Sequence, residues 1–105
     1  MVTSLDKIFE ALASTPRRQI LAYLSEAELS TTELAERFSM SAPAISRHLS
    51  VLENAGLVTS RRHGQRVLYG LVRDTLIEAL SGFAAELAPG PRAESARPRK
   101  PREAI

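Results

Sequence analysis

The segment Ser41–Val58, SAPAISRHLSVLENAGLV, constrains this chain more than any other. It opens as a helix does, with Ser41 as the N-terminal cap, and closes on Gly56, where a left-handed C-terminal cap belongs. Residues after that glycine favour strand. At 100° per residue, Ala42, Ile45, His48, Leu49 and Leu52 fall within an arc of about 120°. Pro43, Ser46, Arg47, Ser50 and Asn54 lie on the opposite side. The first stripe demands a core. The second offers hydroxyls and one guanidinium that no core would accept.

Flanking segments supply that core. Leu5, Ile8, Phe9 and Leu12 recur at i, i+3, i+4 and i+7, the stripe of an amphipathic helix. Ser14 or Thr15 followed by Pro16 starts a second helix, whose buried face is Ile20, Leu21 and Leu24. A third begins at Ser30 or Thr31 and carries Leu34, Ala35 and Phe38. About three residues then separate it from the helix after Ser41, a helix-turn-helix spacing. Leu57–Arg62 and Arg66–Val72 are strand-forming runs around His63-Gly64-Gln65, which predicts a hairpin. A last helix carries Leu76, Ile77, Leu80, Phe83, Ala84 and Leu87 and ends before Pro89. The predicted class is α+β, mainly α: a winged helix-turn-helix in the order α-α-α-α-β-β-α, with extra helices at both ends.

Composition divides the chain into a domain over 1–88 and a tail over 89–105. The tail holds four of the six prolines and the basic residues Arg92, Arg97, Arg99, Lys100 and Arg102, and its composition predicts disorder. With Glu94 and Glu103 it carries +3 of a total of +2, leaving the domain near −1. Charge within the domain is uneven. Residues 61–73 hold four arginines and no acid, and residues 26–36 hold four glutamates and no base. Absence of cysteine excludes disulfides, thiol chemistry and Cys-ligated zinc. With no apolar run of membrane-spanning length and no signal-peptide pattern, the expected location is cytoplasmic.

Hydroxyls and a guanidinium on one helix face can donate to phosphates and base edges, and a helix fits the major groove. Ser41, Pro43, Ser46, Arg47 and Ser50 occupy that face; Arg47 can reach a guanine or a phosphate. The hairpin tip Arg61-Arg62-His63-Gly64-Gln65-Arg66 gathers cations that suit a phosphate backbone or an A·T-rich minor groove. Helix face and tip together predict double-stranded DNA as the partner. A winged-helix module that holds a protein without specific DNA binding is the alternative, and it would present an apolar or acidic outward face instead. No nucleophile–base grouping or Gly-rich phosphate loop points to an enzyme.

The runs TPRRQILAYL, SAPAISRHLSVLENAGLV and RRHGQRVLYGL resemble the ArsR/SmtB winged-helix repressors over roughly residues 5 to 88. That resemblance implies a homodimeric repressor on an imperfect palindrome. It also implies recognition through Ser46, Arg47 and His48, with support from the wing arginines. The family's sensor sites use cysteines, or Asp/His and His/Glu pairs on the last helix. Here cysteine is absent and the last helix has Asp74, Glu78 and Glu86 but no histidine, so the resemblance is to metal-independent members without a cofactor. Asp74 and Glu78 read as a solvated face. The effector is not specified.

Leu5, Ile8, Phe9 and Leu12 at one end, with Leu76, Ile77, Leu80, Phe83 and Leu87 at the other, exceed the apolar patch a monomer normally exposes. Pairing across a two-fold axis would cover them.

Overall fold

Serine side chains close three of the helix starts. In the computed structural model, which describes residues 3–89, the order is α1 (Thr3–Leu12), α2 (Thr15–Leu24), β1 (Leu29–Ser30), α3 (Thr31–Glu36), α4 (Ala42–Asn54), β2 (Val58–His63), β3 (Arg66–Leu71) and α5 (Arg73–Leu87). Apart from Pro89, the tail expected over 89–105 lies outside the described residues.

Ser14 caps α2, accepting from the Arg17 N–H. Ser30 caps α3 in a reciprocal box: its Oγ accepts from the Glu33 N–H at 3.1 Å, and Glu33 Oε1 accepts from the Ser30 N–H at 2.8 Å. Ser41 caps α4 by accepting from the Ala44 N–H at 3.2 Å. The far end of α4 is a full Schellman closure. Gly56, at φ +80°, lets the Leu57 N–H reach the Leu52 carbonyl at 2.9 Å while its own N–H reaches Glu53 at 3.0 Å.

Two local readings change. The helix-turn-helix connection spans residues 37–41, longer than the three residues expected. The cause is that α3 stops at Glu36, where Arg37 and Phe38 donate back only three residues, to Leu34 and Ala35. The chain also has a third strand. Leu29↔Tyr69 and Ser30↔Leu68 place β1 beside β3, so the sheet order is β1-β3-β2, all antiparallel. The β2–β3 hairpin runs from Val58↔Leu71 to His63↔Arg66 and turns through Gly64 at φ +66° and Gln65. That backbone region is the one two-residue hairpin turns require.

Ile8, Ile20, Leu34, Ile45, Leu49, Leu52 and Leu57 are fully buried, bringing α1 to α4 onto one core. Each such side chain contributes about 1.5–3 kcal/mol of burial. Ile8, expected at a dimer interface, is 2% exposed and serves the chain's own core. Its position on α1 turns it towards the helix-turn-helix, while Phe9, one residue on, faces out.

Candidate nucleic-acid interface

The cap at Ser41 and the buried anchors Ile45, Leu49 and Leu52 fix how α4 is rotated, so its remaining face is determined. Ser41, Pro43, Ser46, Arg47, Ser50 and Asn54 are all exposed there, and among the described residues Arg47 forms no ion pair. His48 does not join them. It is half-buried, since its position falls with Ile45 and Leu49, and its Nδ1 lies 3.4 Å from Arg17 Nη1. Burial pushes its imidazole below the usual range, and the Arg17 and Arg47 charges add to that.

Arg17 and Arg18, whose role has no signature in the sequence, satisfy the open carbonyls at the end of α1. Arg17 donates through Nε to Ala11 O at 2.7 Å and through Nη2 to Glu10 O at 3.0 Å; Arg18 donates to Leu12 O at 2.6 Å. Arginines at the start of one helix thus close the preceding helix, and Arg17 also reaches α4 at His48.

The wing brings Arg61, Arg62, His63, Gln65 and Arg66 to one exposed hairpin end. Its charge is not free, however. Arg61 donates to Glu28 Oε1 through Nη2 at 2.7 Å and through Nε at 3.0 Å, and Arg66 Nη2 lies 2.7 Å from Glu33 Oε1. The acid-only run over 26–36 and the base-only run over 61–73 therefore meet in space. The hydrogen bond from Arg61 holds the Glu28 carboxyl below the usual carboxylate range and raises Arg61 in return. Glu33 is lowered first by the Ser30 N–H, with Arg66 adding to it. Among the described residues Arg62 forms no ion pair. Strand alternation sets it on the face of Ser60, whose hydroxyl donates to Glu53 Oε2 of α4 at 3.2 Å.

α1 and α5 meet through Phe9 and Phe83, edge to face with ring centroids 5.4 Å apart. Ile77 is 59% exposed and Leu87 68%, with Phe9, Leu80 and Phe83 less so, and α5 has no fully buried residue. Leu5, Leu12 and Leu76 are half-buried; Leu12 and Leu76 pack on the core. Among the described residues no three His, Cys, Asp or Glu side chains converge on a possible metal site, and no helix is long and apolar enough to cross a membrane.

A helix-turn-helix with a basic hairpin beside its second helix defines the winged-helix class of transcriptional regulators. The family described as "Bacterial regulatory protein, arsR family" matches residues 15–60. Over 77 residues the chain is 31% identical to the transcriptional repressor SdpR of Bacillus subtilis (strain 168), covering 73% of this chain and 86% of SdpR. An ArsR-like transcriptional regulator from Rhodococcus sp. RHA1 superposes with a TM-score of 0.80 at 30% identity, covering 90% of each chain. The homodimeric winged helix-turn-helix DNA-binding domain Mb0332 of Mycobacterium bovis, solved by NMR, gives a TM-score of 0.69 at 30% identity over 81% of each chain. The chain belongs to the arsR family, a family of transcriptional regulators rather than enzymes.

Proposed function

We propose that this chain is a homodimeric transcriptional repressor that binds an imperfect palindromic operator without a metal cofactor. The observation that carries the reading is the division of α4: three anchors sealed in the core, and an opposite face of exposed hydroxyls and one arginine that forms no ion pair among the described residues. In this reading Ser41, Pro43, Ser46, Arg47 and Ser50 enter the major groove. His48 holds α4 against Arg17 rather than reaching a base. Arg61, Arg62, His63, Gln65 and Arg66 lie along the adjacent backbone. Naming of SdpR as a repressor and of Mb0332 as homodimeric supports the repressor and dimer parts.

Phe9, Ile77, Leu80, Phe83 and Leu87 are the surface through which two copies pair, and covering it would contribute several times about 1.5–3 kcal/mol. Two-fold pairing then presents two α4 helices to one duplex. Sedimentation of the wild type and of a variant carrying Ile77→Glu and Leu87→Glu tests this. The wild type sediments as a dimer and shifts DNA, and the variant sediments as a monomer with binding strongly weakened. A wild type that is monomeric while bound to its operator contradicts the reading.

A further inference from the structure

Building on the DNA-binding reading, we propose that Glu28 and Glu33 set how tightly the wing holds DNA, each carboxylate competing with a phosphate for one wing arginine. In the free protein Arg61 and Arg66 are not open cations. Each already has an anion at 2.7 Å, and Arg61 presents both Nε and Nη2 to its glutamate, the planar donor pair that would otherwise grip a phosphate. Binding a phosphate through either arginine requires exchanging one anion for another and leaves a carboxylate close to the duplex.

Both carboxylates are held in place by the fold. Gly70 lies inside β3 on the same face as Arg61, by the pairing Arg61↔Leu68 and Thr59↔Gly70. A Cβ there would sit 3.3 Å from Glu28 Oε2 and 3.4 Å from its Cγ. A glycine inside a strand normally weakens it; here it leaves room for the glutamate side chain to lie across the sheet towards Arg61. Glu33 is held independently, because the oxygen facing Arg66 is also the one that accepts from the Ser30 N–H. Moving Glu33 away from Arg66 would also break its bond to the Ser30 N–H.

Both pairs also stay accessible. Their side chains are exposed by 53% and 43% for Arg61 and Glu28, and by 52% and 37% for Arg66 and Glu33. Ion pairs in water are weak, so a phosphate can displace the carboxylate. Sequence-independent affinity rises with the number of phosphates neutralised, and the two glutamates subtract from that number. The wing then grips every duplex less firmly, while α4, whose Arg47 has no such competitor among the described residues, keeps its full readout.

Fluorescence anisotropy on a short labelled duplex of random sequence, over a salt series, tests this with wild type, Glu28→Gln, Arg61→Ala and the double variant. Glu28→Gln should tighten binding about two- to fivefold and steepen the logarithmic salt dependence by about 0.9, one phosphate contact. Added to Arg61→Ala, the same change should give less than half that gain. No tightening, or a gain of half or more without Arg61, overturns the inference; the latter is the signature of a general charge effect. Glu33→Gln with Arg66→Ala gives a second cycle, in which the glutamine oxygen preserves the α3 cap. If the wild type binds no duplex even in dilute salt, the DNA-binding reading itself falls, a result distinct from tight binding that Glu28→Gln leaves unchanged.

Discussion

The recognition helix and the wing carry similar chemistry by different means. Apart from the contact of His48 with Arg17, what sets α4 lies within it or at its ends: the Ser41 cap, the anchors Ile45, Leu49 and Leu52, and the Gly56 closure. Its arginine, Arg47, is left unpaired among the described residues. In the wing, the backbone is equally local, a two-residue turn at Gly64. Its charge is not, because Arg61 and Arg66 are each matched by a glutamate 33 positions earlier in the chain. A helix face can thus be shaped by its own sequence, whereas the effective charge of a hairpin depends on what the fold sets beside it.

The largest effect that separates the two regions is on stability. Leu52→Ala removes a fully buried anchor of α4 and should destabilise the protein by about 2–5 kcal/mol in denaturant unfolding. Arg62→Ala in the wing should leave that curve near wild type. Next comes affinity for the selected operator: Arg47→Ala should weaken it by about 1–3 kcal/mol in a binding titration if the guanidinium meets a base edge. An unchanged affinity would remove Arg47 from the interface. Within the wing, Arg62→Ala should flatten the salt dependence of binding by about 0.9, and Arg61→Ala by clearly less, because Arg61 begins with a competitor. Equal losses would mean that the glutamate pairing does not matter.

The smallest expected effect is on pH dependence. The half-buried His48 imidazole is pushed below its usual range, so the folded state disfavours its protonation. Stability present above the usual imidazole range should therefore decline as pH falls through that range and down to the lowered value, where His48 itself takes up a proton. His48→Gln should flatten this part of a melting-temperature profile while leaving the alkaline side alone.

Most of the fold was legible because its signals are local. Ser14, Ser30 and Ser41 announce three helix starts, Gly56 and Gly64 mark a helix end and a hairpin, and the apolar spacings assign the core. What sequence reasoning missed is tertiary or too short to have a pattern. A strand of two residues, Leu29–Ser30, shows no alternation and exists only because β3 is beside it. Ile8 and Phe9 belong to one apolar stripe, and only packing separates the core residue from the exposed one. Use of Arg17 and Arg18 to close α1 depends on how α2 doubles back. For the candidate interface, the outward face of α4 could be read from helical geometry, and His48 was legible as a residue at the core edge. The pairing of Glu28 with Arg61 had a single faint trace, two oppositely charged runs of the same domain, with nothing to say that they touch.

The central claim is that two α4 helices, related by a two-fold axis, read one stretch of duplex. Sequencing the DNA that the purified protein selects from a random pool tests it most directly. The account predicts enrichment of two inverted half-sites whose centres lie about one or two helical turns apart. Enrichment of a single unrepeated motif, or of no motif at all, would contradict it.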